Sequence, residues 1–302
     1  MPGRYIYRAY GINIASEIAC PELLEGSSPS QVQIHKGKVP ETLAGSHITG
    51  YKFAAKPGQL LINTDQIAKI KVSDGNQLLV EPRPDVQSFE VRLLLLGWGF
   101  GGLLQQRNIL PLHGGSVKIG QESLILCADA QVGKSTLIAA FVQEGYHFLD
   151  DNIVAIQDLD GFLTINPGYP QIKLWADSLT QLGIEPASLQ QVRPGIQKYA
   201  LDFRSKFHDT PLPVGAIYIL SHTKLPKLEL ITLSGSHKLA ALSSQIFCQR
   251  FAHGLGKGES QFKCLLKLAQ QVEVTRVLLS AHRPSPKNLM DIIMDDYLSR
   301  SN

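Results

Sequence analysis

Residues Ser123-Leu-Ile-Leu-Cys127, Ala128-Asp-Ala-Gln-Val-Gly-Lys-Ser135 and Thr136-Leu-Ile-Ala-Ala-Phe-Val142 follow one another directly. They read as a buried strand, a short loop ending in Gly-Lys-Ser, and a helix. That order is the context a phosphate-binding loop requires. Backbone N–H groups at a helix N-terminus form an anion site, and Lys134 adds a mobile positive charge. The pattern places Gly at its first position, where this chain has Ala128; a small residue there still permits a tight turn. The candidate phosphate-contacting positions are Ala128, Asp129, Ala130, Gln131, Val132, Gly133, Lys134, Ser135 and Thr136.

A phosphate cradle does not by itself transfer a phosphoryl group. Transfer also takes a divalent metal, a carboxylate to position it, and often a base for the acceptor. Ser135 is placed to be the metal-contacting hydroxyl and Lys134 to reach the outer phosphates. One helix later, Tyr146–Ile156 reads as an apolar strand carrying Asp150, Asp151 and Asn152. In a βαβ unit that strand returns beside the first, bringing its acids near the loop. Phe148-Leu149 and Ile153-Val154 flank the acids, which argues against a plain solvated turn and for a metal-site role of at least one of them. His113 ends Leu110-Pro-Leu112 and precedes two glycines; on its own it is a loop histidine.

Composition narrows the classes. The 302 residues are 44% hydrophobic and 18% charged with a net charge of +3, which fits a globular chain with a full core. That charge is too small to argue for nucleic acid or a lipid surface. Cys20, Cys127, Cys248 and Cys264 form no CxxC pair, so neither a zinc site nor a disulfide framework is indicated, and a reducing cytoplasm is expected. The first residues lack the apolar stretch of a signal peptide. Leu93–Leu104 is too short to span a bilayer and is expected to be a buried helix. Its Gly97, Gly99 and Gly102 follow no strand, so they do not make a dinucleotide fingerprint.

Along the chain, residues 1–84 alternate in short β-type segments, at Arg4–Ala9, Gln31–His35, Tyr51–Ala54, Gln59–Ile62, Ala68–Val72 and Gln77–Val80. Turn residues separate them, predicting a small antiparallel β region. A helix from about Val86 to Arg107 leads to an α/β pattern from Leu110 onward. The expected organisation is a β-rich domain with its connecting helix over residues 1–107 and a phosphate-loop domain over 108–302. Leu233-Ser-Gly-Ser-His237 reads as a helix start, with Ser234 or Ser236 as N-cap. Lys198 is a second candidate cation for phosphate or acceptor, with a solvated lysine as the equal alternative.

His113-Gly-Gly-Ser-Val, Ala128–Ser135 and Glu144–Val154 together resemble the catalytic core of HPr kinase/phosphorylase, a family that phosphorylates a serine on a phosphocarrier protein. The wider chain is more similar to HPr-kinase-related proteins found beside peptide-modification genes, including the kinases of lasso-peptide clusters. Tyr7–Gly11, Asn166–Pro170, Leu174-Trp175, Lys198–Asp202 and Pro211–Tyr218 carry that likeness. The resemblance implies an α/β fold of HPr-kinase/PEP-carboxykinase-like type and a cytoplasmic kinase using ATP and Mg²⁺. It further implies a serine of a peptide or small protein as acceptor and peptide-modification proteins as partners; oligomeric state stays open. It assigns phosphate and metal to Lys134 and Ser135, metal to Asp151, and a place beside the acceptor hydroxyl to His113. Aligned from Gly145, the family's first aspartate falls on Asp151 and its second on Asn152, an amide that cannot accept a proton as a base would. Three alternatives follow. Asp150 has taken over as base, His113 serves as base, or the protein binds nucleotide without efficient transfer.

Overall fold

The computed structural model describes residues 4–128, 132–186, 189–224, 227–280 and 283–300. The chain forms a mixed α/β structure with several sheets. The first sheet has nine strands and is mixed, not antiparallel as the alternation predicted. Val32–Lys36 runs parallel to both Ile12–Ser16 and Gln77–Pro82. The reason lies in two connections: the chain passes through Leu24–Glu25 at one edge between Ile12–Ser16 and Val32–Lys36, and after Val32–Lys36 it crosses to the far edge of the sheet. From there, Ile48–Gly50, Phe53–Lys56, Gln59–Asn63, Ala68–Ser73 and Gln77–Pro82 meander back. A sequence shows strand periodicity but not where a long connection lands.

The apolar segment after this sheet is a helix running from Ser88 to Gln106, with a π turn at Leu95–Gly99. Leu95, Phe100, Leu103 and Leu104 are fully buried against the sheet. The glycines let it lie close. A Cβ at Gly102 would stand 2.2 Å from Leu60 Cδ2, and one at Gly101 would stand 2.7 Å from Phe247 Cδ1.

Beyond the helix lies an eight-stranded sheet in which two long strands, Leu110–Ile119 and Leu212–His222, each change partners along their length. The strand before the phosphate loop, Glu122–Ala128, pairs antiparallel with the first and parallel with the second. Ile153–Leu159 and Phe162–Asn166 close the ring between the other halves of the same two strands. Glu122–Ala128 is covered on both faces. Leu124 and Leu126 pack with the helix Lys134–Gln143 and the C-terminal helix Pro286–Arg300, while Ile125 and Cys127 pack with Leu242, Leu265 and Leu268. A strand buried on both faces reads as an unbroken apolar run, because both alternating sets of side chains are inside.

The expected apolar strand at Tyr146–Ile156 is two strands. Phe148–Asp150 and Ile153–Leu159 are separated by a bend at Asp151-Asn152. Both pair antiparallel with Leu110–Ile119, not with the loop strand itself, because Leu110–Ile119 occupies the position beside it. A small third sheet, Gln171–Trp175, Lys198–Asp202 and Gln190–Gln191, lies beyond. Among the described residues no helix is long and apolar enough to cross a membrane.

Candidate active site

Helix Lys134–Gln143 begins at Gly133, whose φ of +109° lies in the left-handed region open to glycine. The helix closes on it, with Leu137 N–H donating to the Gly133 carbonyl at 3.0 Å. Of the candidate cradle positions, Asp129, Ala130 and Gln131 lie outside the described residues. Val132, Gly133, Lys134, Ser135 and Thr136 line a cleft of about 1270 Å³, large enough for a nucleotide-sized ligand. His113, Asp151, Asn152, Lys173, Lys198 and Arg283 line it too. Ala128 is buried in the strand behind. The Thr136 hydroxyl is within hydrogen-bonding distance of Ser178 Oγ, at 2.8 Å, and Ser135 lines the cleft beside Lys134.

Lys134 and Asp151 are brought together. The Lys134 ammonium donates to Asp151 Oδ1 at 3.0 Å and to the Asp151 carbonyl at 2.5 Å, and both side chains are buried. The other carboxylate oxygen, Oδ2, accepts the backbone N–H of Lys173 at 3.1 Å. Asp151 thus links the loop lysine to the strand Gln171–Trp175.

Asp150 is turned away. Only 1% exposed, it is absent from the cleft wall. Its Oδ1 accepts the backbone N–H groups of Asn152 at 2.5 Å and Ile153 at 2.6 Å, and its Oδ2 accepts the Tyr10 hydroxyl at 3.2 Å. Burial pushes this carboxyl up to about 7, partly opposed by the two backbone donors. The alternative in which Asp150 supplies the acceptor base is therefore corrected. Its side chain holds the bend that presents Asp151 and Asn152, and a group facing the core cannot reach a hydroxyl in the cleft.

His113 is on the cleft wall, fixed by its backbone N–H to the Gln245 carbonyl at 2.6 Å and by its pairing with Ile153. Burial, reinforced by the positive charge of Lys134, lowers its pKa to about 4. The imidazole is neutral at pH 7 and keeps one nitrogen free to accept a hydrogen bond.

Three further cations complete the wall. The Lys173 ammonium donates to the Tyr169 hydroxyl at 3.1 Å. Burial pulls its pKa down, but Tyr169, Asp151 and Asp150 outweigh burial and the net direction is up. The Lys198 ammonium lies 5.6 Å from the centre of the Trp175 ring. Arg283 donates to the Val132 carbonyl at 3.2 Å and contacts His222 Nε2 at 2.8 Å. Arg283 and Lys173 were missed in the sequence, where each is an isolated cation in no motif. Tyr169 is buried and Trp175 lines the cleft. Ser234 is the N-cap of helix Gly235–Ser244, without a side-chain cap bond.

Among the described residues, no cluster of three or more His, Cys, Asp or Glu is arranged to hold a metal. Oxygen donors beside Lys134 on the cleft side include the Ser135 hydroxyl and the Asp151 carboxylate. These suit a hard cation such as Mg²⁺, which is commonly held by one or two protein oxygens together with substrate phosphates.

No family model matches the chain, and no curated protein matches it. Among solved structures the chain is similar to the HPr(Ser) kinase/phosphatase from Coxiella burnetii, with a TM-score of 0.37 and 12% identity over 64% of this chain and 99% of that one. A likeness at that level identifies no shared site, and the chemistry rests on the residues of the cleft.

Proposed function

We propose that this chain is an ATP-dependent phosphotransferase of the phosphate-loop type, with an HPr-kinase-like arrangement of its second half. The acceptor in this reading is a hydroxyl, that of a serine in a peptide or small protein. Residues 108–302 handle the nucleotide, and residues 1–107 buttress the cleft from behind. The observation that carries the reading is the Lys134–Asp151 pair at the start of a glycine-initiated helix, in a cleft with more cations than acids.

The residues divide the work. Helix N-terminal N–H groups and Lys134 bind phosphate oxygens. Ser135 and Asp151 would hold Mg²⁺, which when bound neutralises charge on the phosphates. In that state Lys134 exchanges Asp151 for phosphate, so the buried ion pair is the resting partner of both groups. His113, neutral and on the same wall, accepts a hydrogen bond from the incoming hydroxyl and orients it.

One observation favours a second reading, nucleotide binding without efficient transfer. Asp150 faces the core and Asn152 occupies the cleft wall, so among the described residues no second carboxylate stands beside Asp151 to take the acceptor proton. Loss of a base removes about 10²- to 10⁴-fold of rate, while positioning and charge neutralisation remain.

The deciding experiment is transfer of labelled γ-phosphate from Mg·ATP to serine-containing peptides. Transfer that is abolished by Lys134→Ala supports the kinase. Nucleotide binding that Lys134→Ala abolishes, without transfer to any peptide, selects the second reading. A wild-type protein that binds no nucleotide overturns both.

A further inference from the structure

Four cations line the cleft, Lys134, Lys173, Lys198 and Arg283, against two carboxylates, Asp151 and Asp177. Three of the cations are engaged. Lys134 holds Asp151, Lys173 holds the Tyr169 hydroxyl, and Arg283 holds the Val132 carbonyl and His222. Lys198 differs. Among the described residues its ammonium forms no hydrogen bond and no ion pair, and rests over the face of Trp175. It is half-buried at the cleft end of its strand, directly opposite Trp175 in the register of the small sheet.

That placement is tied to the phosphate loop through one carboxylate. Asp151 binds Lys134 with Oδ1 and, with Oδ2, the backbone of Lys173, two residues before Trp175. The group that takes the loop lysine therefore also fixes the strand carrying the ring under Lys198. The charges of Lys134 and Lys198 both act on His113, and that of Lys134 acts on Lys198. Lys134, Lys198 and His113 thus border one volume. Burial lowers the Lys198 pKa, with Lys173 and Lys134 adding to the effect and Asp151 opposing it. An ammonium kept half out of water against an aromatic face, with no acid in ion-pair contact among the described residues, is poised to take an anion.

We propose that Lys198 is the second cation of the phosphate site, gripping the terminal phosphoryl group of a nucleoside triphosphate and making the cleft select triphosphate over diphosphate. The proposal rests on the nucleotide reading of the cleft. Helix N–H groups account for the inner phosphates, and Lys134 bridges from them to the outer ones. The terminal phosphoryl then lies toward Asp151 and His113, where Lys198 is the cation without a partner. Arg283 does not fill that role, because it is committed to the loop carbonyl of Val132. As the terminal phosphate leaves the nucleotide, Lys198 stays with it and balances charge on its oxygens.

The test is calorimetric titration of Mg·ATP and Mg·ADP into the full chain, as wild type, Lys198→Gln and Lys198→Arg. Lys198→Gln is expected to weaken ATP by about 10- to 100-fold, the worth of a charged hydrogen bond, and to leave ADP within about threefold. Lys198→Arg is expected to recover most of the ATP affinity. In the wild-type protein, ATP and not ADP should protect Lys198 from an amine-acylating reagent, read by peptide mass spectrometry; this arm needs no variant to fold. Equal loss for both nucleotides, loss for neither, or unchanged ATP affinity with a raised acceptor KM overturns the proposal, the last by moving Lys198 to the acceptor. Failure of the nucleotide reading looks different: wild type binds no ATP, whereas failure of this inference alone leaves ATP binding intact and sensitive to Lys134→Ala.

Discussion

The hydroxyl of Tyr10, at the end of the first strand hairpin, donates to Asp150 Oδ2 across 3.2 Å in the buried interior. Gly168 leaves the space for that contact, since a Cβ there would stand 1.7 Å from the same carboxylate oxygen. The first sheet therefore takes part in shaping the bend that presents Asp151 and Asn152 to the cleft. Removing the donor leaves a buried acceptor unsatisfied. Tyr10→Phe is expected to lower stability by about 1–3 kcal/mol in chemical denaturation. Gly168→Ala should be more damaging, because its methyl displaces the carboxylate itself. A Tyr10→Phe protein as stable as wild type would show that Asp150 is held by its two backbone donors alone.

Adjacent aspartates should respond in opposite ways to the same change. Asp150→Asn keeps an oxygen for the Asn152 and Ile153 N–H groups, so Mg·ATP affinity is expected to stay within about threefold. Asp151→Asn removes the carboxylate beside Lys134 and should weaken Mg·ATP by about tenfold or more, the scale of a charged contact. Titration calorimetry on both variants decides; the reverse ranking would exchange their roles.

Lys134 and Asp151 form a buried pair, so breaking it from one side strands a charge. Lys134→Met and Asp151→Asn are each expected to destabilise by about 3–5 kcal/mol, whereas the double variant should recover much of that loss. A double-mutant cycle in urea measures it. Additive losses would mean that the two groups do not interact in the resting protein.

His113 sets a pH dependence whose sign follows from burial. Its folded pKa, lowered to about 4, lies below the ordinary histidine value of about 6.5. Between those values the unfolded chain binds the extra proton and the folded one does not. The stability contribution is thus complete above about pH 6.5 and is lost as pH falls toward 4. Subtracting the profile of His113→Gln from that of wild type should isolate a decline confined to this window. A flat difference would place the imidazole in a more solvated setting.

Asn152 stands on the cleft wall, half-buried, where a carboxylate would accept an acceptor proton. Asn152→Asp is expected to raise single-turnover phosphoryl transfer to a serine peptide by about 10-fold or more, within the range of general-base catalysis. No gain, with ATP affinity preserved, would assign orientation of the hydroxyl to His113 without need of a second carboxylate.

The strand and helix flanking the Gly-Lys-Ser stretch were legible because their signals are local. An apolar run buried on both faces, a glycine at positive φ and a helix starting at Lys134 all lie within about one supersecondary unit. The long buried helix was legible for the same reason, through its apolar content. Strand partners were not. The nine-stranded sheet contains parallel pairs because the connections on either side of Val32–Lys36 run by way of opposite edges, and the acid-bearing strands lie beside Leu110–Ile119 because that strand already borders the loop strand. Lys173, Lys198 and Arg283 come to the cleft from separate segments, and no spacing rule marks them.

The sequence by itself determined that a buried strand leads into a helix starting at Gly133-Lys134 and that acids follow by one helix. Tertiary structure alone decided which acid serves the cleft. Asp150 and Asp151 are neighbours in sequence, and neighbouring side chains at a strand end point to opposite sides. Tyr10, 140 residues away in sequence, captures one of them, and Lys134 captures the other. That choice is a matter of long-range hydrogen bonding and burial, to which local pattern is blind.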